Sequence, residues 1–569
     1  MSRITVASLT PNSTPGHTSQ VTDLIYTKIW RLFEADQSNI FALYLFGFLI
    51  SIYGVYGVYH YRKPYIDLPY VGIKPGLLGS WRAGYYYLSH SAEVVREGYQ
   101  KYAPDGKAFV VSTPKRWLVF LTDPDQIAEL AMVSDSKIGF YEALILKHRH
   151  HRIGDPTLVD YINTYHVDVI KSQITPRMAS ILPEIRQEGN VAWREVMNVG
   201  TDWTGISVWD VLTHVVSRSA NRCFVGLPLC RNEELLHIFR EYSTRANELS
   251  HFIDLTPGFI QPFFEWALIK RHKLHQRAQK ILDPVFDERK RMRAELGPER
   301  WDTEKPNDAI TWIIDAAAKR DKHQQTNAQM VWRLIWINFA AIHTTSMSTL
   351  HLLYDLASNP EYIAPLREEI ISTMDKYGGY TKEALNNMLK LDSCLRESQR
   401  WNGVVTIVMS KLTLCDYTFT SGKIPLHLPK GTFITVPATA TNFSKETYGP
   451  DAHIWKGFRF SEMREKMTDP EQSSKLQATA TSKQYLAFSY GKHACTGRFF
   501  AVYQLKMLLI YCLLRYDIRL PDRLNGVRPN NKLVFGRRSA DTGATLEFRE
   551  RTEWNNLRMR WGGFDEEEN

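Results

Sequence analysis

Phe488-Ser489-Tyr490-Gly491-Lys492-His493-Ala494-Cys495-Thr496-Gly497-Arg498 is the stretch on which the reading of this chain turns. Gly491 and Gly497 carry no side chain, so the backbone can turn tightly and approach a flat ligand closely on either side of Cys495. A strongly helical run, GRFFAVYQLKMLLIYCLLRY, follows Thr496. It sets Cys495 beside a helix N-terminus, where the macrodipole and free amides favour a thiolate. A metal-bound thiolate accounts for this cysteine better than a packed thiol does. Cys223, Cys230, Cys394, Cys415 and Cys512 have no such setting, and six cysteines in 569 residues are too sparse for a disulfide framework. They read as small buried hydrophobes in a reducing compartment.

The same eleven residues resemble the F-x-x-G-x-[RH]-x-C-x-G signature of the cytochrome P450 family, and the resemblance runs from the apolar N-terminal segment to about Phe548. It implies that Cys495 is the axial ligand of the iron of heme b, whose electron push favours O–O cleavage. It also implies that His493 contacts a heme propionate, that Phe488 shields the sulfur, and that Gly491 and Gly497 complete the cradle. In SCLRESQRW, Glu397 and Arg400 lie three apart on a helix and share a side. Alone, such a pair is equally a surface salt bridge. With Arg459 downstream in GFRF it resembles the family's Glu-Arg-Arg network, which supports the heme-binding loop from behind.

From Leu334 to Tyr354 the segment Asn327–Ser358 carries no Asp, Glu, Lys or Arg, and Asn359-Pro360 stops it. A second membrane span would have that length, but Asn338, His343, Thr344, Thr345, Ser346, Ser348, Thr349 and His351 would be costly against lipid. The segment predicts a long helix through the domain core. Within it, Ala340-Ala341-Ile342-His343-Thr344-Thr345 resembles the family's distal segment. Small residues three and four before Thr344 share its face and leave room for dioxygen. The resemblance implies that the Thr344 hydroxyl steadies dioxygen and relays protons; without the cysteine loop it would be read as bonded to its own backbone. His343 stands where the family has an acid. An imidazole can also shuttle protons; alternatively His343 points to solvent or substrate, and water supplies the route. Family position further implies substrate contacts at Tyr141, Ile342, Thr345, Val404, Val405 and Thr406. The A-A-I-H-T-T segment is similar to fungal members of the ent-kaurene-oxidase-like type, which implies a terpenoid or polyketide substrate.

From Ile40 to Tyr59 some twenty residues carry no charge. At about 1.5 Å per residue they would cross a hydrocarbon core of about 30 Å. The segment starts too deep in the chain, and ends without a small-residue cleavage site, for a removable signal peptide. Arg62, Lys63 and Lys74 follow it, so the charge bias puts the main domain in the cytosol as a single-pass protein of the endoplasmic reticulum membrane. The predicted organisation is a lumenal leader (1–39), a transmembrane anchor (40–59), a Pro-rich linker (60–76), the catalytic domain (77–548) and a tail (549–569). Asn12-Ser13-Thr14 would be a glycosylation acceptor in that lumen, though Pro15 weakens it.

The expected fold is mainly α with small β-sheets. Helical periodicity covers Glu93–Tyr102, Ser207–Cys223, Glu233–Ser250, Trp266–Leu296, Asp308–Lys319 and Lys382–Trp401. Strands are expected at Phe109–Val111, Leu118–Leu121 and Thr432–Val436, with a late pair around Leu533 and Leu546. The hydrophobic share of 44% supports a large core, and a net charge of +9 is too scattered for nucleic acid. Lys147-His148-Arg149-His150-His151-Arg152 reads as a solvated basic loop, because its arginines repel a cation. His166 lies near a propionate-binding helix of the family but without its W-x-x-x-R pattern.

The reaction implied by the resemblance inserts one atom of dioxygen into an apolar small molecule and releases the other as water. No G-x-G-x-x-G fingerprint is present, so electrons would come from NADPH through a separate flavoprotein reductase on the same membrane. A heme-thiolate desaturase or isomerase, or a non-catalytic heme-binding protein, would keep the same cysteine loop.

Overall fold

The helices that frame the candidate site are α1 (Pro124–Met132), α2 (Phe140–His148), α3 (Val208–Phe224), α4 (Glu233–Leu255), α5 (Asn327–Ser358), α6 (Leu389–Asn402) and α7 (Arg498–Arg515). This computed structural model describes residues 66–72, 79–113, 116–148, 163–256, 260–534 and 537–561, together with Gly47 and Ser51. It divides into Met1–Lys63 and Pro64–Asn569. In the first unit Gly47 and Ser51 are helical, and the Ser51 hydroxyl donates to the Gly47 carbonyl at 2.8 Å. The rest of the leader and of the anchor at 40–59 lies outside the described residues, as do most of the linker and Arg149–Arg152. Among the described residues no helix is long and apolar enough to cross a membrane.

α5 is the axis of the second unit. Thr326 caps it by accepting from the Gln329 amide, and Asn359-Pro360 ends it. Buried residues face nearly every direction around it, so its few polar side chains need partners. Asn338 meets Asn221 of α3 at 2.8 Å, and Asp355 accepts from Ser398, Asn402 and Arg528. A helix buried on all sides by protein therefore explains the uncharged run. α7 runs into the same core through Leu505, Leu508, Leu509 and Leu513, each burial contributing about 1.5–3 kcal/mol.

A second core lies on a six-stranded sheet ordered Tyr70–Val71, Phe109–Ser112, Trp117–Phe120, Phe433–Val436, Val408–Thr413 and Ile138–Gly139. Val110, Val119, Leu121, Ile434 and Val436 fill it, together with Leu486 from the start of the cysteine loop. The strand Val408–Thr413 carries a bulge between Val408 and Lys411, with Met409 at φ +53°.

Local signals misplace several elements. The expected helix Lys382–Trp401 breaks at Met388 into Lys382–Asn387 and α6, and Glu369 caps the second piece by accepting from the Lys390 and Leu391 amides. Trp266–Leu296 resolves into Gln261–Leu268 and Leu274–Glu304, with left-handed Lys273 between them. Met178–Val196 is a helix that Pro183 and Gly189 hide from periodicity; Gly189 faces Leu508 and Ser219. Leu533 and Leu546 do not pair with each other. Lys532–Val534 pairs with Arg537–Ser539, whereas Thr545–Glu550 lies between Tyr516–Arg519 and Thr204–Ser207. Within the predicted tail the described residues 549–561 include the buried Trp554 and Leu557, and Trp554 packs against Tyr511.

Candidate active site

The cysteine loop is closed by its own backbone. The Cys495 amide donates to the Phe488 carbonyl at 2.8 Å, the Ala494 amide to Gly491 at 3.0 Å, and α7 begins at Arg498. Gly491 has φ +79°, and a Cβ there would lie 2.5 Å from the Cβ of Ala131 on α1. Its missing side chain therefore serves packing against α1, not ligand approach. Gly497 differs, because a Cβ there would meet nothing within 4 Å and the backbone borders open space.

Cys495 is accessible, yet burial raises its thiol pKa. The amides of Gly497 and Arg498 and the Arg498 guanidinium pull the pKa down, as a helix N-terminus should, but burial outweighs them. The free thiol is thus favoured in this loop, and a bound cation would remove its proton.

Charged groups gather beside the loop. His493 is 3.0 Å from both Asp135 oxygens and stacks on Phe140 of α2 at 4.2 Å, with Tyr141 edge-on at 5.9 Å. Lys492 meets Asp135 at 3.0 Å. The strand bulge turns Lys411 inward, where its ammonium donates to the Leu130 carbonyl at 2.7 Å and burial lowers its pKa to about 8. Burial lowers the His493 pKa despite Asp135, so among the described residues here the cations are the Lys411 and Lys492 ammonium groups, near the one carboxylate of Asp135. That surplus of positive charge fits an anionic group such as the propionate edge of heme, and the open side of Gly497 fits its flat face. Neither Asp135 nor Lys411 had a local sequence signal, since their roles arise only from convergence.

The Glu-Arg-Arg residues form one buried network. Arg400 donates to both Glu397 oxygens at 2.7 Å, and the Arg459 Nε donates to Glu397 at 3.2 Å. The remaining guanidinium donors reach the carbonyls of Asn442, Tyr448, Asp451, Ala452 and Ile454, so the network clamps segment 442–459. Its contact with the cysteine loop is indirect. Two arginines outside the expected set touch that region: Arg396 of α6 lies 3.8 Å from the Tyr485 ring centroid and donates to the Gln477 carbonyl, and Arg498 donates to Cys495 and Thr479 at 2.9 and 3.1 Å.

On α5, Ala340 and Thr344 are exposed although the helix around them is buried, so this i, i+4 pair borders an internal space. The Thr344 hydroxyl donates to the Ala340 carbonyl at 2.7 Å, leaving its lone pairs to accept. α5 packs against both α6 and α7, the helix that leaves the cysteine loop. His343 turns elsewhere: its Nε2 is 3.3 Å from the Thr244 hydroxyl of α4, and its ring stacks on Trp209 of α3. Two expected substrate contacts do not meet the space. Ile342 is 0% and Thr345 3% exposed, because both lie on core-facing sides of the helix. Val405 is 44% exposed, Val404 is half-buried and Thr406 is buried. Tyr141 is half-buried beside His493, with its hydroxyl 3.2 Å from Thr164. His166 is buried, with its pKa lowered to about 3 by burial and by Arg333.

A family model described as Cytochrome P450 matches residues 84–542. Cytochrome P450 monooxygenase 151 of Postia placenta is 35% identical over 494 residues, covering 86% of this chain and 94% of the relative. Cytochrome P450 monooxygenase CYP512U6 of Ganoderma lucidum is 31% identical over 531 residues, 92% of this chain and 98% of the relative. Cytochrome P450 monooxygenase paxQ of Penicillium paxilli is 30% identical over 503 residues, 86% and 93% of the two chains.

Proposed function

This chain belongs to the cytochrome P450 family and is a monooxygenase that uses heme with a cysteine thiolate ligand and electrons from a redox-partner reductase; from that premise we propose that Cys495 is the ligand, and that the substrate is an apolar terpenoid or polyketide. The observation that carries the assignment is the exposed Cys495 in a loop closed by its own backbone at the start of α7, with Lys411, Lys492 and His493 gathered around Asp135 beside that loop. Heme bound there supplies oxygen activation and C–H oxidation. The chain's own residues hold and orient it. Lys411 and Lys492 would offer charge, and His493 its imidazole, to the propionates, while Arg498 fixes the Cys495 carbonyl and the buried Glu397-Arg400-Arg459 clamp holds segment 442–459 in register. Thr344 presents a hydroxyl that can accept and pass a proton within the enclosed space.

Ala340 and Val405 leave apolar surface open, which supports an apolar substrate. NADPH supplies the reductase. The segment 40–59 anchors the chain in the endoplasmic reticulum membrane with the catalytic domain in the cytosol. Protease protection in microsomes tests that topology: a tag before Ile40 is expected to be protected, and its digestion would reverse it.

The reduced protein with carbon monoxide is expected to show the red-shifted Soret band of thiolate ligation. Its absence would sink the assignment of Cys495. Labelled dioxygen is expected in the product, and an unlabelled product would favour the desaturase or isomerase chemistry instead.

A further inference from the structure

His343 immediately precedes Thr344 on α5, yet its imidazole is built into a different contact. The Thr244 hydroxyl already donates to the Arg240 carbonyl one turn back at 3.1 Å, so its single proton is committed. The 3.3 Å contact between His343 Nε2 and Thr244 therefore runs from the ring N–H to the hydroxyl oxygen, which fixes the tautomer. Trp209 of α3 lies parallel to the ring at 17° and 5.6 Å, which fixes its plane. Burial lowers the pKa and outweighs the nearby Arg240 carbonyl, which favours the protonated ring, so the imidazole stays neutral and is held to α4 by Thr244 with the Arg240 carbonyl beside it. The remainder of the α4–α5 seam includes the apolar ring contacts of Tyr242 with Trp332 and Phe339.

We propose that His343 is a positioning residue: hydrogen-bonded to Thr244 and stacked on Trp209, it latches the α5 turn that presents Ala340 and Thr344 to α4 and α3, and it does not itself carry protons. The inference rests on the heme-thiolate reading. A tautomer fixed toward α4 suits a strut. The i, i+1 relation turns the two side chains about 100° apart, so one turn can serve the latch with His343 and the reaction with Thr344.

The test uses the full-length, heme-loaded protein with its reductase. Thr244→Val removes the acceptor with little change of shape, and Thr244→Ser restores it. Amide exchange in Ala340–Thr345 is expected to rise about three- to tenfold in Thr244→Val and in His343→Ala, as for loss of one hydrogen bond. The double variant should add nothing, and Thr244→Ser should return to the starting rate. Hydrogen peroxide released per NADPH, measured without substrate, is expected to rise in the same two variants, with an unchanged solvent deuterium isotope effect. His343→Gln, which keeps a donor, covers the case in which His343→Ala fails to fold, and should approach the original protein. A changed isotope effect in His343→Gln with Thr244→Val silent would overturn the latch in favour of a proton relay. Unchanged exchange in Thr244→Val would also overturn it. A missing carbon monoxide Soret shift in the unsubstituted protein would instead refute the heme-thiolate reading beneath it.

Discussion

The cysteine side of the site and the α5 side are built on opposite principles. On α6 and beside it the buried charges of Glu397, Arg400 and Arg459 are answered several times: Glu397 and Arg400 are 0% exposed, and the network they share with Arg459 reaches backbone carbonyls across segment 442–459. Around Thr344 the helix is held by apolar packing and a few single polar contacts, such as Asn338 with Asn221 and His343 with Thr244. The first arrangement tolerates almost no substitution, because removing one partner strands a buried charge. The second can change residue by residue without unfolding. A heme enzyme gains from that division: the ligand geometry stays fixed while the surface facing the substrate varies.

Substitutions can break this contrast in order of size. Cys495→Ser is expected to abolish the red-shifted carbon monoxide band altogether, which a spectrum of the purified protein reads directly. Arg400→Leu leaves the buried Glu397 with only Arg459 and the Lys456 amide to answer it, and should cost about 3–5 kcal/mol. Denaturant unfolding measures it, and a loss similar to that of a distal substitution would erase the contrast. Gly491→Ala combines the left-handed backbone with a Cβ 2.5 Å from Ala131. Its cost should be about 1–3 kcal/mol, read as a lower melting temperature with the Soret band retained.

Lys411 sharpens the comparison through pH. Burial lowers its folded pKa to about 8. Above that pH the unfolded chain binds more protons than the folded one, up to the ordinary lysine range, so stability without heme should rise with pH across this window. A propionate beside the ammonium would favour its charged form and remove the rise from the heme-loaded protein. Paired unfolding curves with and without heme check this, and Lys411→Met should flatten the heme-free profile. The smallest effect on stability belongs to Thr344→Ala, which removes one hydroxyl bonded to its own helix and should change unfolding by under about 1 kcal/mol. Product formed per NADPH should nevertheless fall several-fold.

The difference between the two sides also explains what could be read without a structure. The cysteine loop and the Glu397–Arg400 pair are local patterns, in which turn, glycine position and helical spacing are properties of adjacent residues. Arg396 and Arg498 sit inside the same segments, but nothing in their spacing says that one covers Tyr485 and the other holds the Cys495 carbonyl. On α5 the uncharged run announces a buried helix, yet when all faces are buried periodicity does not say which face borders the open space. Hence Ile342 and Thr345 look like substrate contacts in the sequence and lie in the core of the folded protein.

The amino-acid sequence by itself determined the cysteine, its flexible flanks, the helix that follows it and the uncharged helix opposite, because each depends on backbone and side-chain preferences over a few residues. Only the tertiary structure decided that Gly491 yields to Ala131 rather than to a ligand, that Asp135, Lys411 and His493 converge, and that His343 reaches Thr244. Those contacts join segments far apart in the chain. Their energies are settled by packing and desolvation, which no local pattern encodes.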